Sequence, residues 1–258
     1  DPQETLIVRS FRLPRILVAW LVGAALGVSG ALLQGIARNP LASPDIIGIT
    51  GGASVAAVAV LVFAPDTGSA LLSVVAFAGA TVVAVLMYAL AYKNGFSPLR
   101  LVLIGVGIGA AARSLTTLLI VISPMYQASK ALLWLTGSVY GSSWKEVASI
   151  GPWFLLLFPT AFLISRKVNS LQLGHEVDQS LGGSVDRDVL VVTAIGVALA
   201  GSAVAVAGGI GFVGLMAPHM ARLMVGPVFE RLMPAAALLG GFLVMAADLI
   251  GRTLVGTL

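Results

Sequence analysis

Long apolar runs alternate with short polar joints from one end of the chain to the other. The runs fall at Pro14–Ile36, Ile46–Phe63, Ala70–Ala91, Leu101–Ile122, Val147–Ser165, Val189–Ala207, Gly209–Met224 and Met233–Ile250. Most reach or approach the roughly 20 residues a helix needs to cross a hydrocarbon core. Ile46–Phe63 and Gly209–Met224 are short or broken by glycine. The stretch Ala131–Ser143 is apolar but too short to span, so it reads as a surface or re-entrant piece. The longest polar joint, Arg166–Asp188, interleaves Val168, Leu171, Leu173, Val177 and Leu181 with charges and is punctuated by Gly174, Gly182 and Gly183. That pattern predicts two short amphipathic helices with a glycine break. It is longer than a bare connector needs, which marks it as a candidate docking surface.

Composition agrees with a bilayer as solvent. Of 258 residues, 58% are hydrophobic and 10% charged, and the mean hydropathy is +1.02. A soluble domain carries about a quarter charged residues, so ordinary soluble enzymes, disordered chains and nucleic-acid-binding modules are excluded. Cysteine is absent, which removes disulfides, thiolate metal sites and a cysteine nucleophile. The 30 glycines are expected where helices pack closely in lipid. Asp1 and Pro2 open the chain, Asp1–Arg12 has no signal-peptide run, and both ends read as cut, with a further helix expected beyond either one. Placing the N-terminus outside puts eight Lys and Arg in the inner joints and six in the outer ones, the expected bias in weak form. Three of the outer six, Arg9, Arg12 and Arg15, fall within seven residues, a cluster that suggests a use other than orientation.

Little in the sequence suggests reaction chemistry. There is no Walker-type phosphate loop, no HExxH and no GxSxG, so the chain has no nucleotide site of that kind. His175 and His219 lie in different joints and read as solvated side chains rather than metal ligands. Met216, Met220 and Met224 recur every four residues, the spacing of a packing face. The charges counted inside spans are Arg113 and Asp248, each of which is costly in lipid unless it snorkels or finds a partner. Arg252, four residues beyond Asp248, is one such partner. Gly23 and Gly27, Gly48 and Gly52, and Gly105 and Gly109 each have GxxxG spacing, which favours close helix packing over a phosphate cradle. RNPLASPD at 38–45 turns the backbone sharply at the inner end of the first long helix. GGIGFVGLMAPHMAR at 208–222 reads as a broken helix, tolerated at membrane depth where it packs in protein or lines a cavity.

FRLPRILVAWLVGAALGVSGALLQGIARNPLASPDIIGI at 11–49, LQLGHEVDQSLGGSV at 171–185, GGIGFVGLMAPHMAR at 208–222 and AADLIGR at 246–252 together resemble, in order and over nearly the whole chain, the FecCD-type permease family. These are the membrane subunits of bacterial ABC importers for iron(III)-siderophores, haem and vitamin B12. The resemblance implies an all-α, polytopic transmembrane helix bundle of the type II ABC importer permease type. It also implies that the chain lacks the first and last of about ten helices. One permease domain would cover 1–258, with 166–188 as the cytoplasmic coupling loop for the ATPase subunit.

By position, the resemblance assigns Arg12, Arg15 and Arg252 to docking of the substrate-binding protein on the periplasmic face. It assigns Asn39, Leu41, Ser97 and Pro98 to the cytoplasmic gate. Leu173, Gly174, Glu176, Leu181 and Gly182 fall to ATPase coupling. Gly183 and Asp186 depart from the family's usual apolar and basic or small residues. No catalytic or metal role is implied, and the chain itself binds no cofactor; ATP and magnesium belong to the partner ATPase. The implied partners are a pair of ATP-binding subunits, a second copy or homologous permease, a substrate-binding protein and the lipid bilayer, with no nucleic acid. The implied location is the bacterial inner membrane and the cargo a ferric siderophore, with haem or vitamin B12 as alternatives. A secondary transporter driven by an ion gradient is the competing class. It calls for acidic or polar coupling groups near the midplane, and neither Arg113 nor Asp248 has an evident carboxylate partner at depth. An intramembrane enzyme needs a base beside its nucleophile, and a channel needs a repeated carbonyl filter; neither is present in the sequence.

Overall fold

The computed structural model describes residues 7–92, 97–173 and 185–254. A π-helical turn at Val8–Arg12 runs into α1 (Leu13–Ala37), followed by α2 (Ile49–Phe63), α3 (Ser69–Ala91), α4 (Pro98–Val121), α5 (Met125–Thr136) and α6 (Trp144–Leu163). The remaining helices are α7 (Ser165–Leu173), α8 (Val185–Ala207), α9 (Val213–Val225) and α10 (Phe229–Leu254). Six helical stretches, Val8–Ala37, α3, α4, α6, α8 and α10, are long and apolar enough to cross a membrane; α2 and α9 are shorter apolar helices. The all-α bundle expected from the sequence is the architecture observed among the described residues.

The central element is α1, buried from Val22 through Ala37 without a break. Its small residues let neighbouring backbones come close. A Cβ at Gly23 would lie 2.1 Å from the Gly240 carbonyl oxygen, and one at Gly27 would lie 2.3 Å from that of Ala236. The contacts step in opposite directions along α1 and α10, which therefore pack antiparallel. Gly48 seats on Gly105 and Gly109 in the same manner, and Gly52 on Gly79. All three GxxxG pairs thus serve helix packing, where dispersion rather than a hydrophobic drive holds helices together in lipid. Ser29 adds a buried hydrogen bond from its hydroxyl to the Gly196 carbonyl of α8, 2.6 Å.

Two helices begin inside the bundle rather than at its edge. After α1 ends, the chain turns and climbs back. Pro44 packs on Gly214, and Gly214 lies against Gly30, well short of the Arg38 end of α1. The climbing segment satisfies its own backbone: Ala42 donates to Asn39, Ile47 to Ser43, Gly48 to Asp45 and Ile49 to Pro44. Irregular backbone at depth requires such closure within protein. The sequence reading put a sharp turn here; the structure adds the return. α9 likewise starts at depth from Gly208–Phe212, with Gly208 and Gly137 packed on each other's segments.

Two expectations need correcting. The short helix after α4 begins at Met125, not Ala131, and stops at Thr136, so the residues up to Ser143 are not helical. The polar Gln127, Ser129 and Lys130 hid its first turns from a reading based on apolar runs. Of the joint 166–188, α7 takes the residues up to Leu173 and the first turn of α8 takes Val185–Asp188; the second of the two expected short helices lies outside the described residues. The methionine stripe of α9 is not a core face: Met216 and Met224 are exposed.

Candidate functional site

At one end of the bundle, α1 and α10 enclose a cavity of about 830 Å³ with residues 136–140 and Gly211. Its charged wall is built from Arg15 and Asp248. Arg15 Nη2 lies 2.6 Å from Asp248 Oδ1, and Arg15 Nε donates to both carboxylate oxygens at 3.2 and 2.9 Å. Both side chains are less than one-fifth exposed. A bidentate guanidinium–carboxylate pair of this kind is strong and fixes orientation. The Arg15 guanidinium carbon also sits 5.2 Å from the centre of the Tyr140 ring, within cation–π range. The sequence reading set Asp248 beside Arg252; the structure pairs it instead with Arg15, 233 residues away in sequence. Arg252 lines the same cavity and is exposed. Arg12, in the π-helical turn, is exposed as well. The three arginines thus divide into one held by an internal partner and two presented outward.

At the opposite end, the two segments expected to form the gate are fixed by local devices. Asn39 accepts the Leu41 N–H on its side-chain oxygen at 2.9 Å, an Asx turn, and leaves Leu41 exposed. Ser97 caps α4 by accepting the Arg100 N–H, and Pro98 occupies the first helical position, where its missing N–H loses nothing. α7 carries Leu173, expected to take part in ATPase coupling, and leaves it exposed. Gly174, Glu176, Leu181 and Gly182 lie outside the described residues. Across the same end, Tyr92, just past α3, donates to Asp186 at 3.1 Å. That hydrogen bond and the negative charge hold its phenol above the usual tyrosine range.

One carboxylate on the segment that climbs back into the bundle was missed. Asp45 lies on the climbing segment, half-buried, within reach of the Thr50 hydroxyl and the Phe212 N–H. It therefore joins the start of α2 to the start of α9, where Phe212 is left-handed (φ 66°) with an exposed ring. An Asp a few residues ahead of a helix is a capping signal. What the sequence could not supply was the depth of the joint. Arg113 is exposed on α4. Among the described residues, no cluster of three or more His, Cys, Asp or Glu could hold a metal ion.

The FecCD transport family model matches residues 1–257. The chain is 48% identical over 257 residues to the probable siderophore transport system permease protein YfhA of Bacillus subtilis (strain 168), covering 97% of this chain and 75% of that one. It is 48% identical over 250 residues to the achromobactin transport system permease protein CbrC of Dickeya dadantii (strain 3937), covering 96% and 72%. It superposes with a TM-score of 0.92, at 32% identity and over 98% of its length and 81% of the other chain, on a transporter assigned to the metal-chelate ABC type in an inward-facing conformation. With the family model matched across almost every residue of this helix bundle, the chain belongs to the FecCD transport family.

Proposed function

We propose that the chain is the membrane-spanning permease subunit of a bacterial ABC importer for iron(III)-siderophore, seated in the inner membrane. The observation that carries this reading is the superposition, over nearly the full chain, on the permease of a metal-chelate type ABC transporter. The chain has no nucleotide-binding motif, so the drive comes from a separate pair of ATPase subunits. In this reading the Arg15 end faces the periplasm. Exposed Arg12 and Arg252 meet acidic residues of a binding protein there, and Arg15 acts through Asp248 to fix the rim that carries Arg252. Rim charges of this kind set orientation and association rate, which suits reversible docking.

The opposite end faces the cytoplasm. There the segment 166–188 takes the ATPase, and Asn39, Leu41, Ser97 and Pro98 narrow the passage between this permease and a second one. ATP-driven approach of the two ATPases displaces the segment and rocks the bundle. Few fixed charges along the spans leave little to trap a bulky ferric chelate. The test is genetic. Deleting the gene should abolish growth on a ferric siderophore as sole iron source, and the wild-type chain should restore it and co-purify with an ATPase subunit. Growth unaffected by the deletion, or restoration without an ATPase in the complex, would overturn the reading.

A further inference from the structure

The short helix α7 contributes little apolar surface of its own, yet it is bonded to three long helices at once. Lys167 Nζ lies 2.6 Å from Asp188 Oδ1 on α8. Asn169 accepts the Phe229 N–H of α10 at 3.0 Å and donates to Glu230 Oε2 at 2.7 Å. Val168 fills the space left by Gly35 of α1, where a Cβ would meet Val168 Cγ1 at 2.6 Å. The fourth bond involves Arg38. Its Nε donates to the Leu171 carbonyl of α7 at 3.0 Å.

The backbone of Arg38 makes this bond unusual. Arg38 closes α1 in the left-handed region, φ 48° and ψ 35°, a place normally given to glycine because a Cβ is disfavoured there. The residue present is instead one whose side chain reaches α7. The next residue is Asn39, which begins the joint holding Leu41. Arg38 therefore stands between the helix that leads to the ATPase-facing segment and the joint that narrows the passage, bonded to the first and covalently continuous with the second.

We propose that Arg38 is a positioning residue that transmits displacement of α7 to the joint at 39–41, through its hydrogen bond to the Leu171 carbonyl. The proposal rests on the permease reading above. A residue that only ended the helix would be replaced by glycine without loss, since glycine fits the left-handed cap better. A residue that transmits would lose its effect with the guanidinium, whatever the stability of the cap.

The chain has no cysteine, so Leu41→Cys is its single thiol and, with the companion subunits also freed of cysteine, can be labelled with a charged, membrane-impermeant methanethiosulfonate reagent in the reconstituted full complex. Labelling is compared without nucleotide and after trapping with Mg-ATP and vanadate, while ATPase turnover is measured in parallel. The reporter chain is expected to change its labelling rate about fivefold or more on trapping, the lower end of a typical coupling between sites.

Adding Arg38→Gly is expected to reduce that change to under about twofold, with ATPase turnover retained and the melting temperature unchanged or raised. Arg38→Asn tolerates the same backbone but is too short to reach Leu171, so it should match glycine and serves if the glycine variant does not assemble. Arg38→Lys, which keeps a cationic donor, should retain most of the change. If the change persists in Arg38→Gly or Arg38→Asn, the proposal falls and the permease reading stands. If the Leu41→Cys chain shows no change on trapping, the gate assignment of the joint fails, and the transmission proposal with it.

Discussion

Arg15 and Asp248 show how a single contact alters the reading of a motif. Three arginines read from the sequence as equivalent docking charges have different surroundings: Arg15 is tied into a pair with both side chains less than one-fifth exposed, while Arg12 and Arg252 are exposed. Removing Asp248 leaves a guanidinium partly buried without its carboxylate. Asp248→Ala should therefore lower stability by about 2 kcal/mol, the scale of a hydrogen-bonded charged group left unpaired. The Arg15→Ala, Asp248→Ala double variant should lose much less than the sum of the two single changes. Thermal unfolding of the purified protein in detergent measures both, and additive losses would count against a coupled pair. Charge reversal at the two exposed positions acts differently. Arg12→Glu with Arg252→Glu should leave the melting temperature within a degree or two, because neither position is buried. It should also slow capture of the binding protein at low ionic strength, with the difference shrinking as salt is raised. Surface-immobilised binding kinetics would show this, and an unchanged association rate would remove both residues from docking. The candidate positions were legible in the sequence, but the division of labour among them was not. It depends on α10 running antiparallel to α1 so that residue 248 arrives beside residue 15, and no local pattern encodes that.

The long helices were legible because lipid-spanning length and apolar content leave few alternatives. The small-residue pairs were legible as packing sites, though not which helix each would meet. The joint at 38–48 and the start of α9 were harder. Their depth is set by the contact between Gly30 and Gly214 and by Pro44 on Gly214, tertiary facts with no sequence period behind them. The consequence was a missed carboxylate, Asp45, which bridges the two half-helices. These contacts make a sharp contrast testable. A Cβ at Gly30 would lie 1.8 Å from the Gly214 carbonyl oxygen, and backbone cannot turn aside as a flexible side chain can. Gly30→Ala should destabilise the protein by about 3 kcal/mol, the upper range for overpacking. Gly107 on α4 has nothing within 4 Å of its would-be Cβ. Gly107→Ala should be neutral or stabilising by up to about 1 kcal/mol, the difference in helix propensity. Melting temperatures of the two variants side by side decide this. Equal effects would mean that α1 and α9 are not in close backbone contact.

Taken whole, the molecule is a bundle in which, among the described residues, most charges apart from Asp45 and Arg113 lie towards its two ends, and the central helix connects those ends. α1 carries Arg15, paired with Asp248 of α10, at one end, and is closed by Arg38 and the joint proposed as a gate at the other. A displacement imposed at the α7 end can therefore reach the end proposed to dock the binding protein through one continuous, closely packed helix. In the permease reading proposed above, its transport cycle is driven by separate ATPase subunits. The measurement to make is uptake of radiolabelled ferric siderophore into proteoliposomes containing the full permease, with and without its ATPase subunits and binding protein. Accumulation is expected only when both companions and ATP are present on the correct sides, and not with a proton or sodium gradient in their place. Accumulation driven by an ion gradient alone, with no ATPase subunit in the membrane, would contradict it.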